Sequence, residues 1–337
     1  MTTRTIHFGI GAMGAATVAH ALERADIRVV GAFDADPAKV GRDLGDVIGL
    51  GRVTGVKVAD SGGADWPDAD VVVHGTSSSL EQVAPQLEAA LARGLDVVSI
   101  CEELSFPWVR RPELAARLDG LARQHGVTLL GTGVNPGFAM DTWPIALTAI
   151  SRSVESIRVT RVLDASGRRL PLQQKVGAGL TVEQFQEKAA TGTFGHIGLL
   201  ESAMAVAHAL RWEPYELEHR LEPVVAHEAT ASQYFQIAPG QAAGIHETLT
   251  LRHGGREVLR LDLTMALGAT DPRDEVVVEG DPPLNVVARG GFHGDRSTTG
   301  IAINSALLVN ALPPGLLTMR DVPPVHWMSA RAGVRED

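Results

Sequence analysis

Two carboxylates stand side by side, Glu102 and Glu103, in the stretch "LDVVSICEELSFPW", between a short apolar run that reads as a buried strand and further apolar residues. Burying a carboxylate without a partner costs on the order of several kcal/mol. The pair is therefore either solvated at the strand's end or placed there to work. Apolar neighbours in the sequence, Phe106 and Trp108, with Phe138 and Trp143 farther along, would form the water-poor surround that suits a glutamate to proton transfer. Glu103 is the preferred candidate and Glu102 the second, against the plain alternative that both open a solvated loop.

A second constellation lies at the start of the chain. "IHFGIGAMGAATVAHAL" places Gly9, Gly11 and Gly14 in the order G-x-G-x-x-G, directly after an apolar strand pattern and at the opening of a helical one. The first glycine permits a tight turn and the second lets backbone approach a pyrophosphate. The third lets helix and strand pack closely, so that Ala12, Met13 and Gly14 present the helix N-terminus to phosphate. Asp34, twenty residues past Gly14 at the end of the next strand, is placed to accept from adenosine ribose hydroxyls. That favours NAD(H), and Lys39 and Arg42 close by leave NADP(H) open. Asp36 reads as a helix N-cap before Pro37.

In a doubly wound sheet, ligands sit outside the carboxyl ends of the strands. Three further strand-end segments therefore count: "HGTSSS" with Gly75, Thr76 and Ser77, "ICEEL" with Cys101, and "GTGVNPGF" with Asn135 and Pro136. His74 reads as packed rather than catalytic. Cys101 offers a rival chemistry, a thiolate attacking an aldehyde, but two adjacent carboxylates oppose thiolate formation. A structural or nicotinamide-facing cysteine fits better.

The elements that position these groups follow from periodicity. Residues 1–150 alternate short β-branched runs (Thr5–Gly9, Ile27–Phe33, Asp70–Gly75, Asp96–Cys101, Val127–Gly131) with amphipathic segments at Ser79–Arg93 and Pro112–Gln124. This is the pattern of an α/β Rossmann domain, a doubly wound parallel sheet covered by helices. From 151 to 297 longer alternating runs (Glu155–Leu163, Tyr215–Val225, Gly244–Arg252, Glu257–Leu267, Leu284–Arg289) predict a second, α+β domain on a mostly antiparallel sheet, with a hairpin at "HGGRE" and one long helical region near Val182–Leu210. Residues 298–337 read as a C-terminal helix, Thr298–Leu312, and a tail that pack back on the first domain, capped by Ser297 or Thr298. His196 reads as a helix residue, and Lys175 as a loop lysine or an active-site cation.

Composition narrows the classes. The 337 residues are 45% hydrophobic and 21% charged, ordinary globular values. The formal charge of −10 disfavours nucleic acid and anionic lipid as partners. No stretch approaches a membrane span, and the N-terminus lacks the layout of a signal peptide, so a cytoplasmic protein is expected. A single cysteine excludes an intrachain disulfide and a cysteine metal cluster, and the twelve histidines show no zinc-hydrolase pair; no metal is expected. A sheet with one free face makes a homodimer the expected assembly.

Taken together, "GIGAMG", "DADPAKVGRDLGDVIG", "CEELSFPW", "GTGVNPGFAMD", "KVGAGLTVEQF", "FGHIGLLESA" and "TTGIAINSALLVNALPPGLLTMRDVPP" resemble the 2,4-diaminopentanoate dehydrogenases and the native amine dehydrogenases related to them, over most of the chain. The resemblance implies a fold similar to dihydrodipicolinate reductase and reversible reductive amination of a small ketone or aldehyde with ammonia and NAD(P)H. It places the catalytic glutamate at Glu103, with Glu102 the second match. Cofactor contacts carry onto Gly9, Gly11, Gly14, Asp34, Gly75, Thr76, Cys101, Asn135 and Pro136, and pocket residues onto Phe138, Met140 and Trp143 and, from the second domain, Thr298. Two alternatives stay open: an imine or carbonyl oxidoreductase that uses no ammonia, and an NAD(P)-sensing binding protein without turnover.

Overall fold

The computed structural model describes residues 2–63, 65–192 and 194–329. The chain forms two compact units, Met1–Phe138 with His293–Asp337, and Ala139–Phe292. The division therefore falls at Phe138 and Phe292, where the sequence reading put it near 150 and 297. Residues 330–337, the end of the expected tail, lie outside the described residues.

In the first unit β1 (Thr3–Phe8), β2 (Ile27–Asp34), β3 (Val58–Asp60), β4 (Val71–His74), β5 (Asp96–Ser99) and β6 (Thr128–Gly131) join the late strand Gly315–Thr318 in one seven-stranded sheet. Its order is β3-β2-β1-β4-β5-β6 and then the late strand, and every pairing is parallel. Strands buried on both faces cannot alternate apolar with polar. Accordingly Val71 and Val73 pack with Val98, Leu130 and Ala306 on one face, while Val72 packs with Val97, Leu129, Leu80, Leu87 and Leu118 on the other. Helices α1 (Ala12–Leu22), α2 (Leu44–Val47), α3 (Leu80–Leu91) and α4 (Pro112–His125) cover the sheet, with the C-terminal helix Gly294–Ala306 packed against α1.

Two local expectations give way here. The C-terminal helix begins four residues before Thr298 and is capped by His293, whose Nδ1 accepts from Arg296 N at 3.3 Å, not by Ser297 or Thr298. Asp36 closes a turn, its Oδ1 accepting from Ala38 N at 2.9 Å, and no helix follows Pro37.

In the second unit α5 (Thr142–Leu147) leads to β7 (Ser153–Asp164), α6 (Leu170–Lys175), α7 (Val182–Ala189), α8 (Leu199–Leu210) and β8 (Glu216–Val225). A two-residue pair, β9 (Thr230–Ala231) and β10 (Gln236–Ile237), precedes β11 (Ala242–His253), β12 (Arg256–Ala266), β13 (Arg273–Asp281) and β14 (Leu284–Arg289). The six-stranded sheet runs β14-β13-β7-β12-β11-β8, antiparallel except for the β7–β12 pair. The hairpin at Gly254–Gly255 joins β11 to β12 as the sequence pattern requires.

The region 182–210 is two helices rather than one. Gly192, Gly195 and Gly198 between them adopt φ of +69°, +107° and +118°, conformations no continuous helix contains. His196 lies in this break, its N–H donating to Glu247 Oε2 at 3.1 Å. Across β7 and β13, Arg161 and Asp274 form an ion pair with both side chains withdrawn from solvent. Arg161 Nη2 donates to Phe292 O at 2.9 Å and Phe292 N donates to Asp274 Oδ2 at 2.6 Å, so the pair also satisfies the Phe292 backbone. No helix among the described residues is long and apolar enough to cross a membrane.

Candidate active site

Parallel pairing puts every carboxyl end of the first sheet on one edge. Phe8, His74, Ser99 and Gly131 occupy one row across β1, β4, β5 and β6, so the loops that follow them start at the same level. The row is stitched onward by Gly75 N to Phe8 O at 2.8 Å, Ile100 N to His74 O at 3.0 Å and Thr132 N to Ser99 O at 2.9 Å. Strand order reverses between β1 and β4, the place where doubly wound sheets bind ligands.

The glycine loop occupies that crevice. Gly9 has φ +93°, and a side chain on Gly14 would put its Cβ 1.8 Å from Gly9 O, so turn and helix approach as closely as backbone allows. Gly11 has open space where a side chain would stand. It caps α1 without a side-chain hydrogen bond, no acidic residue fills the first turn, and the N–H groups of Ala12, Met13 and Gly14 have no acceptor among the described residues. Unpaired donors at a helix N-terminus, with a cradle that a side chain would fill, fit a pyrophosphate. Asp34 lies beside this loop: its Oδ2 accepts from Ile10 N at 2.7 Å and its Oδ1 from Asp36 N at 2.9 Å. Burial opposes ionisation, but the Asp36 N–H, Lys39 and the Ile10 N–H outweigh it and hold the carboxyl below its ordinary range.

The loops after β4 and β5 are tied to each other. Glu103, in the single turn Glu102–Ser105, accepts from Leu80 N at 2.8 Å through Oε2, and its own N–H donates to Ser78 O at 3.3 Å. Leu80 is the first residue of α3, whose N-cap Ser79 makes no side-chain cap bond, so Glu103 supplies the missing acceptor from the neighbouring strand's end. Oε1 of Glu103 and the Glu102 carboxylate have no hydrogen-bond partner among the described residues. Both glutamates are half-buried, not enclosed. Phe106 is buried and meets the exposed Trp108 edge-on, ring centroids 5.3 Å apart.

Other predicted site residues fall as follows. Gly75 and Ser77 are half-buried at the β4 end, and Ser77 Oγ donates to Gln82 Oε1 at 2.7 Å. Thr76 is exposed, with its methyl group against Gly9, and its hydroxyl donates to Gln86 Oε1 at 2.6 Å. His74 is buried: Nε2 donates to Gln86 Oε1 at 2.8 Å and Nδ1 accepts from Ser99 Oγ at 2.9 Å. Burial pulls its pKa down to about 4, so it stays neutral and packed. Asn135 and Pro136 sit in the loop after β6, with Asn135 half-buried and Pro136 buried, and Phe138 is half-buried at the end of that loop.

Three further predicted residues differ in burial or in the unit that holds them. Cys101 is fully buried in the core beside Leu104 and Leu80, and its thiol donates to Ser78 O at 3.3 Å. Burial first, and the Glu102 charge second, push the thiol pKa far above its ordinary value, which also removes the thiolate rival. Met140 is fully buried. Thr298 belongs to the first unit, within the C-terminal helix, where its Oγ1 accepts from Val134 N at 3.4 Å. Trp143 stays half-exposed and stacks edge-on with Phe292 at 5.2 Å inside the second unit.

Sequence reading missed the Glu103–Leu80 and Asp34–Ile10 bonds. No sequence signal marks the first, because Ser79 is itself a preferred N-cap and only the structure shows that it makes no side-chain cap bond.

Comparison with known proteins adds the following. Residues 138–335 match the model of the 2,4-diaminopentanoate dehydrogenase C-terminal domain. A 2,4-diaminopentanoate dehydrogenase from Acetoanaerobium sticklandii is 27% identical over 343 residues, covering 95% of this chain and 93% of that protein. An amine dehydrogenase from Streptomyces virginiae is 27% identical over 171 residues, 48% of this chain and 46% of that one. The solved structure of an amine dehydrogenase from Mycobacterium smegmatis superposes with a TM-score of 0.83 at 25% identity, covering 97% of this chain and 98% of the other.

Proposed function

The chain belongs to the family of the 2,4-diaminopentanoate dehydrogenases, and we propose that it is an NAD(P)-dependent amine dehydrogenase that interconverts a small ketone or aldehyde plus ammonia with the corresponding amine. The observation that carries this reading is the Glu103 carboxylate at the β5 end, one oxygen fixed by Leu80 N–H and the other free. A side chain held by one oxygen keeps its second aimed without an entropic cost at each turnover.

In the aminating direction, Glu103 Oε1 takes a proton from ammonium, and the ammonia released attacks the carbonyl carbon. The same oxygen returns the proton to the hydroxyl of the carbinolamine, which leaves as water. The iminium that remains is cationic, and the Glu103 carboxylate, ionised again, stabilises it. The nicotinamide, when bound, supplies the hydride that reduces this carbon. Glycine-loop N–H groups hold the pyrophosphate charge, Asp34 orients the adenosine ribose, and Phe106 and Trp108 give the region around the carboxylate apolar surface.

The reading is tested by following NAD(P)H consumption against a panel of small ketones and aldehydes with and without ammonium. Consumption that requires ammonium is expected. Equal consumption in its absence would leave a carbonyl reductase instead, and tight dinucleotide binding with no turnover on any substrate would leave a sensor.

A further inference from the structure

Two half-exposed aromatic rings in the second unit are held in place by buried acids. Trp143 and Phe292 meet edge-on, ring centroids 5.2 Å apart and planes at 79°. Such a contact uses the edge of one ring and one face of the other and leaves the remaining faces open. Both side chains stay partly accessible, whereas Phe185 and Trp212 of the same unit are buried. Trp143 lies in the first turn of α5, whose cap, the buried Asp141, accepts from Thr142 N at 2.5 Å and from Ser202 Oγ of α8 at 2.7 Å. Phe292 is held at both ends of its own residue: Asp274 accepts from its N–H, and Arg161 donates to its carbonyl. Gly290 and Gly291 before it have φ of +81° and +68°, and a Cβ on Gly291 would stand 3.2 Å from Asp274 Oδ2, so the turn is shaped around that carboxylate.

The cost of burying an ion pair is offset only by good geometry and satisfied partners. Here the buried groups fix two rings that the core does not enclose, the rigid support that a ligand surface needs. Arg161 and Asp274 neutralise each other beneath that surface, so the rings offer a ligand carbon and no net charge. We propose that Phe292 is a specificity-determining residue: with Trp143 it forms an aromatic wall that takes the hydrocarbon substituent of the carbonyl substrate, and Arg161, Asp274 and Asp141 position that wall. This rests on the proposed reaction and on Trp143 belonging to its substrate pocket.

Initial rates of the full chain with NAD(P)H and ammonium, along the methyl ketones from butan-2-one to octan-2-one, test it. Phe292→Leu removes ring volume and leaves the backbone clamp intact. It is expected to raise the octan-2-one to butan-2-one ratio of kcat/KM by at least about tenfold, the lower end of what one methylene-sized change does in an apolar pocket, and to act mainly through KM. Phe292→Trp, with the larger ring, should lower the ratio. Asp274→Asn keeps an acceptor for the Phe292 N–H but loses the charge facing Arg161, so it should raise the ratio and also lower the melting temperature. The proposal is overturned if folded Phe292→Leu shifts the ratio by less, or if every ketone loses kcat/KM in parallel, as a purely structural anchor would make it do. Turnover that needs no ammonium yet shows the shift would remove the amination and leave the wall. Ammonium-dependent turnover without the shift would remove the wall and leave the amination, and no turnover of any ketone by unmodified protein would remove both.

Discussion

Glu103→Gln is expected to cut turnover by about 100- to 10,000-fold, the usual contribution of a positioned acid–base group, while NADH still binds with unchanged affinity. The amide is nearly the size of the carboxylate, and its oxygen can keep accepting from Leu80 N–H, so α3 stays fastened. What disappears is the ability to take and return a proton and the negative charge that favours the iminium. Glu102→Gln should lose less than about tenfold, because no group among the described residues orders that carboxylate for a proton transfer whose rate depends on alignment. The comparison is informative because the two side chains adjoin and differ in one hydrogen bond. A large loss at Glu102 with Glu103→Gln active would transfer the role to its neighbour, and a Glu103→Gln melting point far below that of the unmodified chain would mark the residue as a helix cap alone.

The second large effect is expected at Gly14. Its Cβ position is fixed by backbone, so Gly14→Ala cannot escape the 1.8 Å contact with Gly9 O by a change of rotamer. Loop and helix must separate, and the N–H groups of Ala12 and Met13 move with them. Losing about two charge-assisted hydrogen bonds of 1.5–3 kcal/mol each weakens dinucleotide binding at least about 100-fold, and the forced separation costs about 1–3 kcal/mol of stability. Gly11→Ala is the control. Apart from its own chain neighbours, no atom lies within 4 Å of the position its methyl group would take, so the chain should melt as before and yet bind dinucleotide poorly if, as proposed, the space at Gly11 receives the pyrophosphate. Calorimetric melting alongside a binding titration separates the two variants.

How far these sites could be read from sequence depended on the range of the interactions. The glycine loop, Asp34 and the carboxylate pair are local features: spacing and strand ends reveal them, and the structure gathers their strands on one edge. The partners of those residues are not local. Glu103 meets Leu80 because β4 and β5 pair in parallel, which brings together groups 23 positions apart, and Asp34 meets Ile10 across 24. Burial was not legible either: Cys101 stands beside reactive-looking neighbours just past a strand end, where side-chain direction depends on register, and it and Met140, in the turns after β6, are both fully buried. In the fold, β13 was overlooked although Val276 and Val278 alternate inward as a half-covered strand requires. The late strand Gly315–Thr318 is four residues after two prolines, too short to carry a period, and is recognised only by its pairing with β6.

The most direct test of the central claim, that a carboxylate at the β5 end serves carbon–nitrogen bond formation, follows the nitrogen itself. Purified protein is supplied with ¹⁵N-ammonium, NADH or NADPH and small ketones, and the products are weighed by mass spectrometry. The account predicts an amine carrying one ¹⁵N for each nicotinamide oxidised, and almost none from Glu103→Gln. Alcohol as the product of nicotinamide oxidation, or labelled amine formed at an undiminished rate by both Glu103→Gln and Glu102→Gln, would contradict it.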